Sequence, residues 1–78
     1  MLIIDFELRG EFITLDRLLK ATGLADSGGE AKAMVAAGKV QVDGQDEWRK
    51  TAKMRPGQVV AVHGTRVRVL ASREPAAA

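Results

Sequence analysis

An α+β domain, with two short helices packed on a small, mostly antiparallel sheet, is the fold class this sequence predicts. Two observations carry it. After an opening alternating stretch, apolar residues recur at helical spacing as far as about residue 38, and beyond it they alternate in twos. The alternating part is punctuated by the turn pairs Asp43-Gly44, Pro56-Gly57 and His63-Gly64, spaced closely enough for hairpins. Strand, helix, helix, then antiparallel strands is the order of a layer of helices covering one side of a sheet.

Residues 2 to 9, LIIDFELR, are rich in β-branched and aromatic types, with Ile4, Phe6 and Leu8 on one face and Asp5, Glu7 and Arg9 on the other. This predicts a first strand. Phe12 stands just before the first helix, where it is expected to staple that helix to the core. Thr14 is placed to cap LDRLLKAT, in which Leu15, Leu18 and Leu19 share a face, and Gly23 to end it in a left-handed conformation. Ser27, followed three residues later by Glu30, has the S-x-x-E form of a capping box. A second helix follows, with Ala31, Met34 and Val35 inward and Gly38 as its stop.

From Lys39 the period is that of a strand. Val40 and Val42 alternate with polar neighbours up to the Asp43-Gly44 turn, and the returning arm QDEWRK is charged nearly throughout except for Trp48. Trp48 is read as a partly buried anchor on the sheet in preference to a stacking platform. Arg55-Pro56-Gly57 supplies a further turn. QVVAV and TRVRVL, joined by His63-Gly64, make the last hairpin. Residues 1–72 are taken as one domain and 73–78, lacking any periodicity, as a disordered tail.

Composition narrows the function. At 78 residues and 46% apolar, the chain affords one thin core, and with no cysteine and a single histidine it can build neither a disulfide framework nor a thiolate or multi-histidine metal site. No cofactor is expected. The N-terminus lacks the basic region and apolar run of a signal peptide, and no stretch approaches the ~20 apolar residues of a membrane span. The expectation is a soluble, cytoplasmic protein without a membrane partner. Residues 1–31 hold three basic against six acidic groups, a balance of −3, whereas residues 32–68 hold eight against three, a balance of +5. Such a basic half fits a polyanionic partner, and it equally fits a solvated surface kept charged for solubility.

Phosphate-cradling loops are excluded by their own spacing. The only Gly-Lys pair, Gly38-Lys39, leads out of a helix and is followed by Val40, and no G-x-G-x-x-G occurs. His63 lies in a turn with no acid or nucleophile beside it, and Asp46 and Glu47, as strand neighbours, face opposite ways. No catalytic constellation results, so the chain is read as not an enzyme. Readers that stack bases need exposed aromatics, and Phe6, Phe12 and Trp48 are the whole supply. DNA reading by the helix pair is countered by AKAMVAAG, which is mostly apolar or small. What remains is binding through phosphates and shape, with the amides of Gly28 and Gly29 at a helix start and nearby cations as counter-charges.

The series LDRLLKATGLADSGGEAKAMVAAGKVQVDGQ resembles the S4-type RNA-binding domain, a module of a ribosomal small-subunit protein, pseudouridine synthases and bacterial tyrosyl-tRNA synthetases. Gly38-Lys39-Val40-Gln41-Val42-Asp43-Gly44 matches its G-x-V-x-V-[ND]-G hairpin in full, and Arg55-Pro56-Gly57-Gln58-Val59-Val60 resembles its closing P-G-D-x-[VI]. The similarity covers about residues 14–62. It departs where the common pattern has arginine directly after the serine, since Gly28 stands there. SGGEAK followed by Glu47-Trp48-Arg49-Lys50 is similar to small stand-alone bacterial S4-like proteins that carry no catalytic domain.

The resemblance implies an S4-like fold built on the αL motif and a monomeric, ribosome-associated protein that binds structured RNA, either ribosomal or transfer RNA. It implies an RNA surface formed by the second helix and the following hairpin. The residues assigned to it are Ser27, Gly28, Gly29, Lys32, Lys39, Gln41, Arg49, Lys50, Lys53 and Arg55. Arg66 and Arg68 are assigned to another face and left out. The alternative reading is a protein-interaction adaptor without direct RNA binding, using apolar helix faces or the last strand as an edge.

Overall fold

The computed structural model describes residues 2–72, so the expected tail at 73–78 lies outside the described residues. Strand β1 spans Leu2–Leu8, β2 Ile13–Thr14, helix α1 Leu15–Ala21 and α2 Gly28–Ala36. Strands β3 (Gln41–Val42), β4 (Gln45–Asp46), β5 (Lys53–Met54), β6 (Val59–Val62) and β7 (Thr65–Ala71) follow. Five of them form one sheet in the order β1-β7-β6-β3-β4, antiparallel except for the parallel pair β1 and β7. The expected α+β class, with helices on a mostly antiparallel sheet, is what the chain adopts.

One layer of side chains joins sheet and helices. Leu15, Leu18 and Leu19 from α1 and Ala31, Met34 and Val35 from α2 share a buried cluster with Val40, Val42, Val60, Val62, Val67 and Val69. These valines are alternate residues of their strands, so one sheet face is covered by the helices and the other meets solvent. Burying one such leucine contributes on the order of 2 kcal/mol, which is how a domain this small holds its helices.

The turns are those the dipeptides promise. Asp43 and Gly44 have φ of 52° and 83°, and His63 and Gly64 have 51° and 72°, the left-handed pairs that match the twist of a two-residue hairpin. His63 is exposed in its turn, as expected.

Four expectations are corrected. Thr14 holds the N-cap position of α1 without making a side-chain cap bond. The first helical amides are satisfied instead by a distant loop, Leu15 N–H donating to the Ala52 carbonyl (2.9 Å) and Asp16 N–H to that of Lys50 (3.0 Å). The arm QDEWRK leaves the sheet after Asp46, because the Glu47 carboxylate accepts the amides of Trp48 (3.0 Å) and Arg49 (3.1 Å) and bends the chain away. Phe12 is no staple: the residue is 40% exposed and its ring lies under two cations. The last strand is not an edge, for β7 is paired on both sides by β1 and β6, and the apolar helix faces are in the core. The surfaces on which the adaptor reading depended are therefore occupied.

Candidate nucleic-acid interface

The start of α2 is built by its cap. Ser27 is extended (φ −149°, ψ 166°), its Oγ accepts the N–H of Glu30 (3.1 Å), and Glu30 reaches back to accept the Asp26 N–H at 3.4 Å. Gly28 and Gly29 are the first helical residues and neither has positive φ. A β-carbon at Gly28 would meet nothing within 4 Å, and one at Gly29 only the Ser27 Oγ at 3.8 Å. The fold therefore does not require these glycines, and their effect is to leave the helix-start amides uncovered.

The start of α1 gathers cations. Backbone bonds from α1 to Lys50 and Ala52, with the antiparallel pairing of β2 and β5 that sets Thr14 opposite Lys53, lace the 50–54 segment along this end of the helix. Lys53 Nζ then sits 4.8 Å from the centre of the Phe12 ring and the Arg55 guanidinium 6.0 Å from it. The ring face attracts both cations and restrains their long side chains. Asp16 is held below the ordinary aspartate pKa, first by a hydrogen bond from the Thr14 hydroxyl, against a cost of burial, and then by the Arg17 N–H and the nearby charge of Lys32. Lys32 on α2, one turn beyond the glycine pair, is thus within electrostatic reach of the same end of α1.

The hairpin presents a second group. On the solvent face of the sheet Gln41 is opposite Ala61, which is opposite Arg66, so Gln41 and Arg66 belong to one row. Lys39 joins them around a shallow hollow of about 280 Å³. Arg66, which the sequence reading put on another face, therefore shares the face of Gln41. Gln41 is also tied to Asp46, Nε2 donating to Oδ1 at 3.2 Å. Arg68 is different: it makes a two-pronged pair with Asp5 at 2.7 and 3.0 Å, and its charge is met there. Arg49 contacts Glu47 at 3.5 Å while staying exposed.

The structure places Lys50, Lys53 and Arg55 along the start of α1, with Lys32 of α2 in electrostatic reach of the same end, while Ser27, Gly28 and Gly29 form the start of α2. Lys39 and Gln41 form a separate group with Arg66 on the outer sheet face. Trp48 departs most from expectation. It lies in the loop after β4, is 62% exposed, and rests the six-membered part of its indole on Gly38. Sequence could have flagged Arg66 through the two-residue turn at His63-Gly64, which by itself sets Ala61 against Arg66.

Among the described residues no group of three or more His, Cys, Asp or Glu side chains is placed to hold a metal, and no helix is long and apolar enough to cross a membrane. The arrangement offers cations, uncovered amides and two exposed aromatics, the chemistry of a surface for polyanions.

Comparison with known proteins agrees with this architecture. The pattern of the S4 domain family matches residues 6–70. "Putative RNA-binding protein YbcJ" of Escherichia coli (strain K12) is 44% identical over 59 residues, which are 76% of this chain and 84% of that protein. The solution structure of YbcJ from E. coli, described as revealing an αL motif involved in RNA-binding, superposes with a TM-score of 0.61 at 37% identity, over 90% of this chain and 87% of that one. The 30S ribosomal protein S4e of Thermoplasma acidophilum shares the fold, with a TM-score of 0.57 at 24% identity over 74% of this chain and 31% of its own.

Proposed function

This chain belongs to the S4 domain family, and from that premise we propose that it is a non-catalytic RNA-binding protein that holds structured RNA, ribosomal or transfer, through phosphates and helix shape. The observation that carries the reading is the gathering of Lys50, Lys53 and Arg55 at the start of α1, with Lys32 of α2 in electrostatic reach of it. Four cations from two segments, α2 and residues 50–55, gather there, and at the start of α2 Gly28 and Gly29 put no side chain over the amides. Ser27 shapes this corner, and a phosphate seated on it would gain both backbone donors and counter-charges. Lys39, Gln41 and Arg49 extend the contact along the hairpin. The names carried by the relatives, which speak of RNA-binding, favour RNA over other polyanions. We place the protein in the cytoplasm, as a monomer in association with ribosomal particles.

Gly28 has a specific part in this proposal. In the position where the family pattern carries arginine, it gives up one cation and lets a phosphate approach the backbone more closely, while Lys32 supplies charge one turn along. Charge reversal tests the surface. Lys32→Glu and Arg55→Glu are expected to weaken binding to a folded RNA uniformly across sequences, and each to reduce the salt slope by about one. Unchanged affinity in both variants would remove the basis of the proposal.

A further inference from the structure

Trp48 is the largest side chain of the protein and the core does without it. At 62% exposure it contributes little burial, yet it is held in place from two sides. Its benzo ring lies so close to Gly38 that a β-carbon there would be 2.6 Å from Cη2 and 2.9 Å from Cζ3. Glu47 clamps the backbone beneath it, one carboxylate oxygen accepting the amides of both Trp48 and Arg49 and contacting the Arg49 Nε at 3.5 Å. The Glu47 N–H in turn donates to Val40 O at 3.0 Å, which ties the loop to the residue that leads into the first hairpin strand. An exposed indole on a fixed backbone is a prepared surface, not a loose side chain.

Its surroundings identify what would cover it. Among the described residues the other exposed large apolar side chains, Leu2, Ile3, Phe12 and Leu70, belong to other elements, β1, β7 and the turn before β2, so none of them extends Trp48 along its own loop into a patch of the kind a protein partner would bury. Glu47 precedes it and Arg49 and Lys50 follow, Arg49 contacting Glu47 at 3.5 Å, and Lys39 adjoins the glycine it rests on; the three cations are exposed. Exposed Ala36 and Ala37 at the end of α2 leave the approach open. One exposed planar aromatic, with Arg49 and Lys50 following it in the chain and Lys39 beside its seat, matches one nucleotide, a base for the ring and phosphates for the charges.

We propose that Trp48 stacks on a single unpaired base, so that the RNA recognised is a helix interrupted by an unpaired nucleotide. This rests on the RNA-binding function proposed above and names its substrate class. The helix-start cations would hold the paired backbone while the loop at Trp48 takes the extruded base, because bases in an unbroken duplex offer no free face.

The test uses the full chain and two synthetic RNA hairpins, one with an uninterrupted stem and one with a single bulged adenosine, titrated at low salt by anisotropy of the labelled RNA. The wild type is expected to prefer the bulged hairpin. Trp48→Ala should lose about 5- to 150-fold in affinity for it, the range that removal of a base-stacking aromatic gives, and little for the uninterrupted stem. Trp48→Phe should retain most of the preference, and melting curves confirm that both variants fold. If Trp48→Ala binds the bulged hairpin as wild type does, or loses equally on both hairpins, the stacking proposal is overturned. The RNA-binding function survives either result provided that Lys50→Glu weakens both complexes. Failure of the wild type to bind either hairpin overturns both.

Discussion

Replacing Gly38 by alanine strikes two structural requirements at once. Gly38 ends α2 with φ of 73°, a conformation that costs an ordinary residue roughly 1–2 kcal/mol. The new methyl group would also stand 2.6 and 2.9 Å from the Trp48 ring, inside any tolerable contact. Because that ring is the exposed end of a side chain, it swings outward instead of straining the backbone, so the steric part appears as a displaced indole more than as lost stability. A net cost of about 1–2 kcal/mol corresponds to a fall in Tm of roughly 4–16 °C for a domain of this size. Thermal melts followed by circular dichroism measure it, and the emission of the only tryptophan, shifted to the red in folded Gly38→Ala, reports the displacement. In a Trp48→Ala background the steric part vanishes and the backbone part stays. A Tm within about 1 °C of wild type together with unchanged emission would refute both the left-handed helix stop and the seat of Trp48.

Gly28→Ala is expected to do the opposite for stability, raising it by up to about 1 kcal/mol since space and φ both admit a methyl group, while weakening RNA binding by covering the amides; paired melting and binding curves check it. Phe12→Leu should leave the fold intact but release Lys53 and Arg55 from the ring, an interaction worth about 0.5–1 kcal/mol at an exposed site, and RNA titration should show a loss of a few fold. The Glu47 clamp gives a pH dependence. Its carboxyl is lowered from the ordinary 4.5, first by the Arg49 N–H, so its stabilisation is in place above that value and is lost as pH falls through the lower folded value. Trp48 emission in the folded protein should therefore be constant from neutral pH to about 4.5 and change below it, and Glu47→Gln should abolish that step.

Much of this molecule was legible because its signals are local. Ser27 and Glu30 announce α2, the leucines at 15, 18 and 19 announce α1, and Asp43-Gly44 and His63-Gly64 announce hairpins, each by chemistry confined to a few adjacent residues. Non-local features were not. Nothing around Leu2–Leu8 says that its partner is β7, 63 residues further along and parallel, because an amphipathic strand encodes its face and not its neighbour. The pairing of β2 with β5 involves two residues a side, too short for any period to be seen. Phe12 illustrates the same limit, since an aromatic before a helix reads alike whether it turns inward or lies under Lys53 and Arg55. Among the proposed contacts, Lys50, Lys53 and Arg55 stand out in sequence as a basic stretch, but only the hydrogen bonds from α1 to the 50–52 loop and the pairing of β2 with β5 explain why they lie at the start of α1. Trp48 was misjudged because the frequencies of tryptophan burial do not register one carboxylate bending a loop out of the sheet.

If RNA is held through phosphates neutralised by this small set of cations, its binding in folded form must depend steeply on salt. With Lys32, Lys50, Lys53 and Arg55 each meeting one phosphate, the slope of log K against log salt should be about −3.6, a fall in affinity of roughly 150-fold between about 50 and 200 mM salt, and steeper where Lys39 and Arg49 also engage. A slope shallower than −1, or no binding at the lowest salt, would contradict it.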